Sequence, residues 1–276
     1  MSEGGVHEIA DASLERLLTV VFRHYHYDFR AYAAASLRRR VAAAIARFGD
    51  ANVAALEARI VTDASAFTEL LRFLTVQVSD LFRDPGYFRA IRTIVVPYLE
   101  TYPSLKIWIA GCATGEEAYS LAILLDEHGL LARTQLYATD IHPASLRTAA
   151  DGAYELGRFA RFSENYLAAG GRASLSDYYT AGYGQAIFDR RLRQAILFSD
   201  HSLSTDSAFA EVQLVSCRNV LIYFDRELQD RAVGVLYDSL CRRGFLGLGS
   251  KESLRFTRHA GFFREIAPEE RLFQKL

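Results

Sequence analysis

Lys-Ile-Trp-Ile-Ala-Gly-Cys-Ala-Thr-Gly-Glu-Glu-Ala-Tyr-Ser-Leu-Ala-Ile-Leu-Leu, residues 106 to 125, decides how this chain folds. Ile107 to Ala110 is uncharged and bulky, the pattern of a short buried strand. Gly111 and Gly115 bracket a tight loop, and from Glu116 to Leu125 apolar residues recur at helical spacing. Strand, glycine loop and helix in this order open a nucleotide-binding α/β half, in which a ligand comes close to the loop backbone.

The charges bear on the ligand. Free N–H groups and the macrodipole at a helix start ordinarily attract phosphate. Glu116 and Glu117 stand there instead, and two carboxylates repel a pyrophosphate. A ribose compound with a positive end and no phosphate fits better, and S-adenosylmethionine (AdoMet) has a ribose, an ammonium and a sulfonium. The plainer alternative, that the pair only complements the helix dipole, stays open at this point.

The 276 residues suffice for one large core or two modest ones, and 50% of them are hydrophobic, as in a globular protein. A formal charge of −1 exerts no global pull on nucleic acid or on an anionic membrane. No apolar run approaches the roughly 18 residues of a membrane span, so no membrane insertion is expected. The polar opening Met1 to Ala12 does not read as a signal peptide. Cys112, Cys217 and Cys241 are odd in number and far apart, which argues against a disulfide framework or a metal site and for a reducing cytoplasm.

Up to about Tyr102 the chain reads helical. Its stripes are Leu14, Leu17, Leu18, Val21 and Phe22; Leu37, Val41, Ile45 and Phe48; Val53, Leu56 and Ile60; and Phe67, Leu70, Leu71 and Leu74. Gly49-Asp50 marks a stop and Thr62-Asp63 a cap. Residues 1–84 are expected to form a helical domain, 85–102 a linking helix, and 103–276 the α/β domain. Between Asp28 and Asp50 there is no acid, while Arg30, Arg38, Arg39, Arg40 and Arg47 fall there beside an alanine-rich face that includes Ala33 to Ala35 and Ala42 to Ala44. This is either a solvated face or a docking strip for an acidic, helical partner. It lacks the aromatic interleaving of a nucleic-acid groove.

Beyond the glycine loop, Leu136 to Thr139 is a strand ending in Asp140, where nucleotide folds bind ribose hydroxyls, although a cap on the helix opened by Pro143 is the alternative. Tyr154 to Phe188 breaks the pattern with Gly-rich turns. Further strands are expected at Ala195 to Phe198, Val212 to Cys217 and Phe245 to Leu248, with a helix near Glu227 to Cys241 and a terminal hairpin.

Four separated motifs, Leu81-Phe82-Arg83-Asp84-Pro85, Trp108 to Glu117, Ala138-Thr139-Asp140-Ile141 and Cys217-Arg218-Asn219-Val220-Leu221-Ile222-Tyr223-Phe224-Asp225, occur in the order and spacing of the CheR family of chemotaxis-receptor methyltransferases, which the chain resembles over nearly its whole length. The resemblance implies a Rossmann-like AdoMet-dependent methyltransferase domain behind an all-helical domain, AdoMet between them, and a small β-subdomain inserted at about 161–188. It implies that Gln77, Ser79, Arg83, Gly111, Glu117, Asp140, Ser202, Leu203, Arg218 and Asn219 bind the cofactor, and that Arg83 and Tyr223 border the reacting methyl. It also implies methyl transfer to receptor glutamates, giving methyl esters and S-adenosylhomocysteine, with no metal. The partner is then the cytoplasmic helical domain of a chemoreceptor, docked on Arg38, Arg39, Arg40 and Arg47.

Departures from the family pattern are Gln77, Ser79, Ser202, Ala118 and the loop Gly249-Ser250-Lys251-Glu252-Ser253. Gly182-Tyr183-Gly184 departs from the peptide grip of some members, which leaves tethering open. Taken by themselves, Arg83 can instead pair with Asp84, Tyr223 can be core, and His201 can be structural. An AdoMet-binding sensor or scaffold, or a methyltransferase with another substrate, is the alternative function.

Overall fold

The computed structural model describes residues 9–276, so the polar opening Met1 to Glu8 lies outside the described residues. Two compact units divide the chain: residues up to Val76 together with Tyr223–Gln229, and Gln77–Ile222 together with Asp230–Leu276.

Among the described residues the first unit contains the helices α1 (Asp11–Tyr25), α2 (Ala34–Phe48), α3 (Val53–Thr62) and α4 (Ala64–Leu74) and the opening of a helix that starts at Arg226. Local chemistry sets their ends. Gly49 takes φ 71 and closes α2. The Asn52 side chain accepts the Ala55 N–H at the start of α3, and Asp63 accepts the Ser65 N–H at the start of α4. The expected stripes are the buried faces, except that Phe22, Ile45 and Phe48 are only half-buried and Ala44 is fully buried. The α2 core face therefore runs Leu37, Val41, Ala44, and Ala44 does not belong to an open alanine surface. A single antiparallel bridge pairs Tyr32 with Phe224, and the Ala33 N–H donates to the Tyr223 carbonyl.

The second unit begins at Gln77. α5 (Pro85–Ala90), a π-helical stretch Ile91–Val95 and α6 (Val96–Leu99) run as one continuous helix into β1 (Leu105–Ala110). The division expected after residue 84 and the separate linking helix are not how the chain partitions, because Leu81, Phe82, Tyr87 and Phe88 are buried in the sheet unit's core. The Phe82 N–H also donates to Ser120 Oγ. Then follow α7 (Glu116–Glu127), β2 (Thr134–Asp140), α8 (Pro143–Asp151), β3 (Ala153–Glu155), α9 (Phe159–Ala168), β4 (Tyr179–Gly182), β5 (Gln185–Phe188), α10 (Arg190–Gln194), β6 (Ile196–Asp200), β7 (Val212–Cys217), α11 (Arg226–Ser239), β8 (Leu240–Leu248), β9 (Phe263–Ala267) and β10 (Leu272–Lys275).

The main sheet has the order β6-β2-β1-β7-β8-β10-β9. Its first five strands are parallel, and β10 and β9 add an antiparallel hairpin. The order reverses between β1 and β7, so the carboxyl ends of these two strands flank the crevice in which open α/β sheets bind ligands. Every residue of β1 except Lys106 is buried, as a strand covered on both faces requires. The small sheet, β3-β5-β4, begins at Ala153, earlier than the insert expected from about 161. Tyr183 at φ 53 and Gly184 at φ 77 make its two-residue hairpin.

Arg92 and Glu127 tie the continuous helix to α7 as a buried ion pair, their side chains 7% and 3% exposed. Arg92 Nε also donates to the Ala169 carbonyl, while Glu127 accepts from Tyr166 Oη and the Arg172 N–H. Replacing Arg92 by Met strands this carboxylate without its cation. Denaturant unfolding is expected to show a loss of about 3–5 kcal/mol, and a loss below about 1 kcal/mol removes the pair from the account of the fold.

Candidate cofactor site

The glycine loop is shaped by contacts as well as by its dihedrals. Gly111 takes φ 74, and a Cβ there would come within 2.3 Å of Val220 Cγ2, so the loop after β1 lies directly against the loop after β7. Gly115 takes φ 94, and a Cβ on it would meet Ala149 at 2.7 Å. Between them Ala113 adopts φ 48, a conformation that costs a residue with a Cβ about 1 kcal/mol or more.

Asp140 holds that loop. Its Oδ2 accepts the Ala113 N–H at 2.8 Å and its Oδ1 accepts the His142 N–H at 2.9 Å. Burial pushes its carboxyl above the usual carboxylate range, against the pull of these N–H groups and of the Gln77 side chain. Asp140 is not the cap of α8: His142 is, through Nδ1 accepting from the Ser145 N–H. A carboxylate offers about four acceptor sites, so Asp140 keeps acceptor capacity beyond its backbone bonds. Gln77 Oε1 is likewise a buried acceptor with no donor among the described residues. Acceptors wanting donors suit ribose hydroxyls or an ammonium, and on this ground the crevice fits AdoMet.

Bare carboxylates do not exclude phosphate from this helix start, contrary to the expectation from sequence. Glu116 is fully buried, paired with Arg158 at 2.8 Å and accepting from Thr114 Oγ1. Glu117 accepts from Ser216 Oγ at 2.7 Å and from Arg218 at 2.9 Å. Neither stands bare at the helix start, because each is neutralised by an arginine that arrives from far along the chain.

Arg218, expected to line the cofactor, has a side chain only 1% exposed. It is braced by Glu117, by Asp84 at 2.7 Å and by the Arg83 carbonyl, with the Tyr87 ring 4.2 Å from its guanidinium. Burial works against its charge, yet Glu117, with Tyr87 and Asp84, outweighs that and raises its pKa. It is a buried, braced side chain and not an open surface.

Asp84 is thus committed to Arg218, and Arg83 itself donates to the Val78 carbonyl at 3.3 Å, with no carboxylate paired to it among the described residues. The Ser79 carbonyl is taken by Arg158. Ser202 and Leu203 follow β6 in a self-bonded turn, with the Ser202 N–H on Asp206 and Ser202 Oγ on Ser204 Oγ. His201 lies edge-on to Trp108, its Nε2 on the Ser207 carbonyl. Asn219, at φ 61, sits at the end of β7. Tyr223 belongs to the first unit, its ring 4.8 Å from the Arg40 guanidinium. Cys112 and Cys217 are buried with thiol pKa values pushed up, as packing residues are. Among the described residues no group of three His, Cys, Asp or Glu is arranged for a metal.

Sequence reasoning missed Arg158, which joins Glu116, Asp80 and the Ser79 carbonyl. It also missed the role of Glu252, which collects the N–H groups of Gly249, Asn219, Val220 and Ile222. A Glu three residues past a glycine at a strand end was the only available signal for the second, and nothing local marked the first.

On the docking strip, Arg40 donates to the Leu74 carbonyl and is half-buried, with its pKa lowered chiefly by that burial, and Arg38 pairs with Asp11. Arg39 and Arg47 are exposed, on one stripe with exposed Ala43.

A reversing parallel sheet with an acceptor-lined crevice beside its first strand defines a Rossmann-like AdoMet-dependent methyltransferase fold. Residues 77–269 match the family model described as the CheR methyltransferase SAM binding domain, and residues 12–75 match its all-alpha domain. A Pseudomonas putida KT2440 protein provisionally named a methyltransferase, Cher3, is 52% identical over 96% of this chain and 97% of its own. The chemotaxis protein methyltransferase of Listeria innocua is 30% identical over 85% and 87%, and chemotaxis protein methyltransferase 1 of Pseudomonas aeruginosa is 29% identical over 75% and 77%. The chain belongs to the CheR methyltransferase family, and its cofactor is AdoMet.

Replacing Asp140 by Ala removes the anchor of Ala113 together with a buried acceptor. Calorimetry is expected to show S-adenosylhomocysteine binding weakened by more than about tenfold. Unchanged affinity refutes the assignment.

Proposed function

We propose that this chain transfers the AdoMet methyl group to glutamate side chains on the cytoplasmic helical domain of a chemoreceptor, acting in the cytoplasm as a protein-glutamate O-methyltransferase in sensory adaptation. The observation that carries this reading is the family membership over both units, with relatives named for chemotaxis.

The chemistry suits the residues. A solvated glutamate has a pKa of about 4.3 and is already the nucleophile at neutral pH, so no general base is required. When bound, AdoMet supplies a methyl carbon on a sulfonium, and its transfer to a carboxylate consumes one charge of each sign without moving a proton. What this chain then contributes is alignment and exclusion of water, and alignment alone is worth several kcal/mol. Arg83 is the proposed orienting group: its guanidinium is free of carboxylates among the described residues and has the fork that grips one in two bonds. Tyr223 is the proposed aligning hydroxyl or wall at the reacting methyl. Gln77, Ser79, Arg83, Gly111, Glu117, Asp140, Ser202, Leu203, Arg218 and Asn219 are the proposed cofactor contacts, Glu117 and Arg218 being held by their mutual ion pair. No helix among the described residues is long and apolar enough to cross a membrane.

Labelled AdoMet incubated with a panel of chemoreceptor cytoplasmic helical domains tests the reaction. Base-labile label on receptor glutamates is the expected result. Tight cofactor binding without transfer to any of them favours a sensor or scaffold. For docking, the double reversal Arg39→Glu with Arg47→Glu is expected to slow receptor methylation by about tenfold or more through lost charge attraction while cofactor affinity holds. A normal rate eliminates the strip.

A further inference from the structure

Glu252 falls in the loop Gly249 to Ser253, to which no function was assigned above, and it is among the most heavily bonded side chains in the sheet unit. It is 4% exposed. Its Oε2 accepts the N–H of Gly249 at 2.6 Å and of Asn219 at 2.9 Å, and its Oε1 accepts the N–H of Val220 at 2.8 Å and of Ile222 at 3.3 Å. No arginine or lysine pairs with it among the described residues. Successive backbone N–H groups aimed at one point form a nest that stabilises an anion, and here the anion is supplied by the chain itself.

Three features make this more than packing. Asn219 holds φ 61, a left-handed conformation that a residue with a Cβ adopts at a cost, and its N–H is one of those captured. The nest itself is closed by Gly249, since a Cβ there would come within 2.7 Å of both Asn219 N and Asn219 Nδ2 and within 2.8 Å of Glu252 Oε2. The next residue, Val220, is the one against which Gly111 of the cofactor loop is pressed. Movement of the nest therefore moves Asn219 and Val220, and Val220 is in contact with the loop that Asp140 anchors.

We propose that Glu252 is a positioning residue of the cofactor site: it fixes Asn219 and Val220 beside the glycine loop through a nest of backbone N–H groups. This rests on the reading of Asn219 as a cofactor contact. Glu252 acts through the backbone and touches neither cofactor nor substrate. Glu252→Gln keeps the shape but turns an NH2 group toward N–H donors, so part of the nest is lost. Gly249→Ala keeps the carboxylate's charge and drives a methyl group between Glu252 Oε2 and Asn219.

The test is a double-mutant cycle read by calorimetry with S-adenosylhomocysteine, at a temperature well below the unfolding of each variant. Asn219→Ala and Glu252→Gln are each expected to weaken binding about tenfold, and the double variant is expected to be no weaker than the poorer single one. Hydrogen exchange of residues 217–222 in the cofactor-free protein is expected to speed up in Glu252→Gln. Gly249→Ala is expected to match its affinity loss, and it decides the matter if Glu252→Gln does not fold. Unchanged affinity in Asn219→Ala overturns the cofactor role of Asn219, and the positioning role with it. Weakened binding in Asn219→Ala alone, or losses that multiply in the double variant, overturns the positioning role and leaves that of Asn219 standing.

Discussion

Asp140 ends β2 almost without solvent, and its two oxygens reach in different directions, one to the Ala113 N–H and one to the His142 N–H. A buried carboxylate is tolerated only where it is hydrogen-bonded, and here backbone groups of two loops bond each of its oxygens. The loop after β1 is thereby bound to the end of β2, and the left-handed turn at Ala113 is held by a charged acceptor. The crevice at the reversal of strand order takes its shape from this bond. Glu252 repeats the device on the opposite side, after β7, with four N–H groups in place of two.

Around these two anchors the glutamates of the helix start and Arg218 are closed into pairs. Glu116 is answered by Arg158, Glu117 by Arg218, and Arg218 in turn by Asp84, with the Tyr87 ring beneath it. A helix start bearing two adjacent glutamates looks acidic in sequence and is electrically quiet in the fold. The neutral acceptor Gln77 and the carboxylate Asp140 suit hydroxyl or ammonium donors. AdoMet carries both kinds of donor, so acceptors in the crevice, and not repulsion by bare carboxylates, are what fits it.

In the helical unit the same sorting separates arginines that a charge run alone cannot tell apart. Arg40 serves the fold, donating to the end of α4 and lying over Tyr223, and Arg38 is occupied by Asp11. Arg39 and Arg47 are the two of the predicted four that keep an exposed stripe with Ala43 between them.

Much was legible along the chain because it is encoded locally. Strand, glycine loop and helix at 105–127, the acid at the end of β2, the caps at Gly49 and Asp63 and the apolar stripes all rest on neighbours within a few residues, where periodicity and turn chemistry act. The four motifs carried the family. What sequence could not supply were bonds spanning long stretches of chain: Arg158 to Glu116, Arg218 to Glu117 and Asp84, Glu252 to the Asn219 loop, and Arg92 to Glu127, which draws residues 85–99 into the sheet unit. Such partners are set by which strand ends the sheet order brings together. A residue's own neighbours determine whether it begins a helix; only the assembled sheet determines whether its charge is bare or answered.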